Sequence, residues 1–143
     1  MGTDGKLASM AGYSGTPLAK KLGIKPGHRV VLADPPGAFE IEGLPEGVTL
    51  ARSLRGTAAI EVAAVFVKTV AVLERRFSQV QARLAIAGGL WVAWPKKSSG
   101  VATELSDSAV RAHGLDAGLV DNKVCAIDET WSGLRFVRRV RDC

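Results

Sequence analysis

Apolar positions in this chain come in short clusters, and their spacing changes from one cluster to the next. The clearest helical spacing is Val70, Leu73, Phe77, Val80 and Leu84, separated by 3, 4, 3 and 4. That places all five on one helix face and turns Glu74, Arg75, Ser78 and Gln79 outward. Gly88-Gly89 is expected to stop this helix. The segments on either side carry no such period. Ile60–Val67 is a continuous apolar, β-branched run and predicts a buried strand, as does the short run Leu90–Trp94. Strand, long helix, glycine pair and strand together predict a βαβ unit. Trp91 and Trp94 are three residues apart in one strand, so they are expected on opposite faces of the sheet, both in the core.

The remaining elements follow from local signals. Thr16 is read as the N-cap and Pro17 as the first residue of a helix over Thr16–Leu22, closed by Gly23. His28–Ala33 predicts a strand, ended by Asp34-Pro35-Pro36-Gly37. Ala38–Leu44 is expected to form one or two helical turns, and Gly47–Ala51 a weak second strand. Pro95–Ala102 is a loop. Glu104–His113 predicts a helix started by Thr103 or Ser106 and stopped by Gly114. Leu119–Asp128 is a strand, Trp131-Ser132-Gly133 a turn, and Leu134–Val140 a returning antiparallel edge strand. On such an edge Arg135, Arg138, Arg139 and Arg141 would discourage aggregation. The predicted class is therefore α/β: a three-layer Rossmann-like sheet, mostly parallel, closed by a C-terminal antiparallel hairpin. Residues 1–12, rich in small residues, are expected to form a flexible tail, and 13–143 a single domain.

Composition narrows the function classes without choosing one. The chain has 143 residues, 47% of them hydrophobic, enough to build a core without metals or disulfides. Cys125, in the apolar run Val124–Ile127, and the terminal Cys143 do not suggest a disulfide framework. The longest apolar stretches are too short to span a bilayer, and the N-terminus has no apolar signal core, so a cytoplasmic protein without membrane contact is expected. The net charge of +5 permits an anionic partner without requiring one. His28 and His113 have no Cys or carboxylate at ligand spacing, so no metal is expected.

Two resemblances add to this. The stretch of roughly residues 58–140, with its strand at Ile60–Val67, long helix, Gly88-Gly89, strand Leu90–Trp94, further helix and closing hairpin, resembles the C-terminal half of a class I methyltransferase. The strings Gly12–Leu18, Leu22–Gly27, Leu90–Lys97, Val124–Asp128 and Thr130–Leu134 are similar to a family of small bacterial proteins known only as a domain of unknown function, a resemblance that implies no activity. Methyltransferases of this class bind S-adenosylmethionine at a glycine-rich turn after the first strand and place an acidic residue after the second. Here those positions read Ala33-Asp34-Pro35-Pro36-Gly37-Ala38 and Leu50-Ala51-Arg52-Ser53. Two prolines remove backbone donors and one glycine remains, so no cofactor is expected. Asp34-Pro35-Pro36 resembles the D-P-P-[YF] loop of amino-group methyltransferases, but Gly37 stands at the aromatic position and the turn follows the first strand.

The candidate site residues come from the expected C-terminal end of the sheet, where open α/β sheets bind ligands. Lys96, Lys97, Ser98 and Ser99 combine two cations and two hydroxyls ahead of a helix, a set suited to an anion. Asp34 lies at the same sheet end. Trp131 is placed there too, either exposed for stacking or folded back on the core. Three readings follow. The first is a non-catalytic binding or regulatory module with a small anionic ligand or a protein partner. The second is a transferase acting on an anionic substrate held by Lys96, Lys97 and Ser98. The third is a nucleic-acid-binding protein that uses the basic edge strand and Trp131.

Overall fold

The computed structural model describes residues 16–139; the expected tail over 1–12 lies outside them. Every described strand joins one six-stranded sheet. In chain order the strands are β1 (Arg29–Ala33), β2 (Thr49–Ala51), β3 (Ile60–Phe66), β4 (Leu84–Pro95), β5 (Leu119–Ala126) and β6 (Trp131–Arg138), arranged β2-β1-β3-β4-β6-β5. The pairs β1–β2, β1–β3 and β3–β4 are parallel, and β6 is antiparallel to both its neighbours. This is the mostly parallel α/β sheet with a C-terminal antiparallel hairpin that the sequence predicts.

The central strands are apolar throughout because both faces are covered. On one face Val31, Ala63, Val65 and Val92 pack with Leu73, Phe77 and Val80 of α2 (Val70–Gln81) and Val110 of α3 (Asp107–Asp116). On the other, Val30, Leu32, Val62 and Phe66 meet Ala19 and Leu22 of α1 (Leu18–Leu22), together with Phe39 and Ile41 from the connection to β2. Trp94 belongs to the first core and Trp91 to the second, as strand alternation requires. Cys125 is half-buried against the second core, and burial pushes its thiol pKa up. No described helix is long and apolar enough to cross a membrane.

Several local expectations are corrected. Helix α1 starts at Leu18, after an extended Pro17 with no side-chain cap, and ends at Gly23 with φ of 81°. Residues 38–44 form no helix. Phe39 and Ile41 are buried and Glu40 and Glu42 exposed, a two-residue alternation of extended chain, and the Glu42 carbonyl accepts from Ala19 N at 3.1 Å. Helix α2 ends at Gln81, short of Gly88-Gly89, and Leu84 to Gly89 join the strand. Leu84 is buried there, while Val70 at the helix start is exposed, so the core stripe of α2 reduces to Leu73, Phe77 and Val80. Between its pairings with Ile60 and Val62 of β3, β4 accommodates a bulge, from Leu84 to Gly89. Helix α3 begins after Ser106, whose hydroxyl accepts from Ala109 N at 3.2 Å, and runs through Gly114.

The largest correction concerns β6. It starts at Trp131 and lies between β4 and β5, so it is an interior strand and β5 forms the edge. Arg135 is partly buried as a result, and burial lowers its pKa.

Candidate functional site

In chain order the sheet is crossed first from β1 outward to β2 and then back past β1 to β3. The connections therefore leave the C-terminal ends of β1 and β3 in opposite directions. Such reversals open a crevice where α/β sheets bind ligands. A cleft of about 530 Å³ lies at this position. Its lining comes from three places: Asp34, Pro35 and Pro36 after β1; Phe66, Lys68 and Thr69 at the end of β3, with Val72 and Arg75 of α2; and Trp131 at the start of β6.

Each wall is held by identifiable contacts. Asp34 has φ of 57°, a left-handed conformation that short polar side chains tolerate. Its carboxylate accepts from Arg76 Nε at 2.8 Å and Nη2 at 3.0 Å, which ties the β1 turn to α2. After β3, the Lys68 carbonyl accepts from Glu104 N at 2.9 Å and Thr103 Oγ1 at 2.8 Å. The Thr69 hydroxyl caps α2 by accepting from Val72 N at 3.2 Å, and Glu104 accepts from Val70 N at 2.8 Å. Trp131 is fixed through its backbone N–H, which donates to Asp128 Oδ1 at 2.8 Å. Its ring meets Phe66 edge-on, with centroids 5.2 Å apart, and Phe66 meets Phe39 the same way at 4.9 Å. Only 8% of Trp131 is exposed, so of the two placements left open by the sequence it takes the one folded onto the core, at the cleft wall.

The structure thus brings Asp34 and Trp131 together and sets the lysine loop apart. Lys97–Ser99 form a single 3-10 turn, in which the Ser99 hydroxyl donates to the Lys96 carbonyl at 2.6 Å and accepts from Val101 N at 3.2 Å. Lys96 N donates to the Thr130 carbonyl, while Lys97 and Ser98 project into solvent. None of these four residues lines the cleft. Lys68, Thr69 and Arg75 do, and sequence reasoning passed over them. The rule that singled out Lys96, a polar residue just past an apolar strand, applies equally to Lys68-Thr69.

A second cavity of about 540 Å³ lies against α1, lined by Leu18, Lys21, Phe39, Ile127 and three carboxylates, Glu40, Glu42 and Asp128. Phe39 lines this cavity, while its ring neighbour Phe66 lines the first. The histidines serve locally: His28 Nδ1 accepts from Lys25 N, and His113 packs edge-on to Phe77. Among the described residues no group of three His, Cys, Asp or Glu is placed to hold a metal.

No protein-family model and no curated protein matches the chain. Solved structures do. A SAM dependent methyltransferase from Aquifex aeolicus superposes with a TM-score of 0.54 at 14% identity, over 83% of this chain and 86% of that one. The ribosomal protein L11 methylase from Lactobacillus delbrueckii subsp. bulgaricus gives a TM-score of 0.53 at 8% identity, over 85% of this chain and 75% of that one. S-adenosylmethionine fits the residues of this chain poorly. The β1 turn has two prolines without N–H groups where close backbone approach is needed. After β2 stands Arg52 rather than a carboxylate, and its guanidinium is engaged with the Phe39 carbonyl at 2.9 Å. What this chain shares with those proteins is the Rossmann-like methyltransferase fold.

Proposed function

We propose that this chain is a non-catalytic binding module on a reduced methyltransferase-like fold, and that its small ligand, other than S-adenosylmethionine, occupies the cleft between the ends of β1 and β3. The observation that carries this reading is a cleft of about 530 Å³ at the crossover reversal, walled by a turn of Asp34-Pro35-Pro36. That volume is typical of small-molecule sites. Binding without turnover is favoured because the one carboxylate in the lining, Asp34, is ion-paired to Arg76 instead of being free to move a proton. A transferase acting on an anionic substrate is the second reading, favoured by Lys68 and Arg75 in the lining.

The test is calorimetric titration of the purified chain with S-adenosylmethionine, together with a thermal-shift screen of nucleotides, other cofactors and small organic acids. No heat and no stabilisation are expected from S-adenosylmethionine. A compound from the screen should stabilise the fold, and Val72→Trp, which fills the cleft, should abolish that effect. Low-micromolar binding of S-adenosylmethionine would overturn the proposal. Turnover of a bound anionic compound would move the assignment to the transferase.

A further inference from the structure

The cleft carries positive charge that the fold itself does not use. Lys68 and Arg75 both line it and both are exposed. Among the described residues neither side chain has a hydrogen-bond or ion-pair partner. The nearby carboxylates are already engaged: Asp34 with Arg76, and Glu104 with the Val70 amide at the start of α2. Neither lining cation is thus held in an ion pair.

The facing wall is apolar and offers one further donor. Phe66 and Trp131 stand edge to face there. Trp91 donates its indole N–H to the Leu22 carbonyl at 3.1 Å, whereas the indole N–H of Trp131 finds no acceptor among the described residues. Solvent reaches this N–H, since it is not one of the buried polar atoms left without a partner, so the place of an acceptor is open. A ligand oxygen in the cleft would supply one.

Given the cleft as the ligand site proposed above, we infer that its ligand is a small oxyanion with a flat apolar body, the phosphate or carboxylate held between Lys68 and Arg75 and the body lying against Phe66 and Trp131. The guanidinium presents a planar fork that matches either oxyanion, and the ammonium adds a mobile point charge. The apolar wall supplies the area that a bare inorganic ion cannot use.

Four probes test this on the full chain: phenyl phosphate, benzoate, inorganic phosphate and the neutral benzyl alcohol. Binding is read from the Trp131 indole cross-peak in proton–nitrogen spectra, assigned by its loss in Trp131→Phe, and from calorimetry. Phenyl phosphate, benzoate or both should move that peak, and the stronger of the two identifies the preferred oxyanion. Their affinity should fall with salt, and it should fall at least about tenfold in Lys68→Ala/Arg75→Ala, as removal of charges that contact a ligand does. Both replaced side chains are exposed, and circular dichroism confirms that the variant is folded. Inorganic phosphate should bind more weakly than phenyl phosphate. If benzyl alcohol moves the peak as strongly as the anions, or the double variant binds them unchanged, the oxyanion assignment fails and the cleft remains a ligand site. If no probe moves the peak, the cleft as a binding site fails with it.

Discussion

Replacing Gly114 by alanine sets two opposing effects against each other, and the structure decides between them. In an exposed helix interior the change stabilises by about 1 kcal/mol. Gly114 lies within α3 and has no left-handed φ, so that gain is available in principle. A Cβ there would, however, sit 2.5 Å from Cζ of Phe136 and closer still to its Cδ1 and Cε1. Phe136 is fully buried and edge-on to Phe77 with centroids 5.5 Å apart, so its ring cannot swing away without displacing a second core aromatic. Overpacking of this kind costs about 1–3 kcal/mol, and severe overlap belongs at the upper end. The net loss is then about 2 kcal/mol, or about 4–8 °C in Tm for a chain of this length. Urea unfolding of Gly114→Ala, Phe136→Leu and the double variant checks the cause as well as the size. If the clash is responsible, the cost of Gly114→Ala drops by more than about 1 kcal/mol in the Phe136→Leu background. A Gly114→Ala protein as stable as the parent, or strictly additive costs, would refute the reasoning.

Two further outcomes follow from the same structure. At Asp34, with φ of 57°, Asn should lose only the partly exposed pair with Arg76, less than about 1 kcal/mol, whereas Val should add strain of about 1–3 kcal/mol; equal urea midpoints for the two variants would contradict the left-handed turn. The carboxyl of Asp121 is held below its ordinary value of 3.8, chiefly by the hydrogen bond from Arg111, so the stability it contributes is present above about pH 4 and lost as pH falls through the depressed folded value. Asp121→Asn should therefore flatten the acid limb of Tm against pH below that point, and an unchanged limb would remove Asp121 as its source.

The sequence made the fold legible wherever burial on both faces, or one clean helical stripe, dictated the residues. The strands β1, β3 and the apolar end of β4 fall close to their expected places, as does the start of α2. The opposite placement of Trp91 and Trp94 follows from alternation alone. Candidate-site residues were legible only in part. Asp34 and Trp131 reach one cleft because strand ends gather at one end of a parallel sheet, a consequence of fold class. Arg75 was read only as a solvated helix position, and nothing local to it shows that the turn after β1 lies across from it.

The errors at Gly88-Gly89, at Gly114 and at the start of β6 share one physical cause: glycines taken as local punctuation are spaces for side chains distant in sequence. A Cβ at Gly88 would lie 2.9 Å from the Ile60 carbonyl, in the neighbouring strand. One at Gly89 would run into the Arg135 guanidinium, one at Gly114 into Phe136, and one at Gly133 would lie 3.1 Å from the Trp91 ring. Three of these four involve β6, either as the intruding side chain or as the glycine that gives way. These contacts fit β6 against β4 and α3. Large residues of β6 need depressions on β4 and α3, and β6 needs one of its own opposite Trp91. Trp131 begins the strand that these clearances hold in place, opposite Pro95 of β4. The wall of the cleft is therefore positioned by glycines at 89, 114 and 133, none of which lines it.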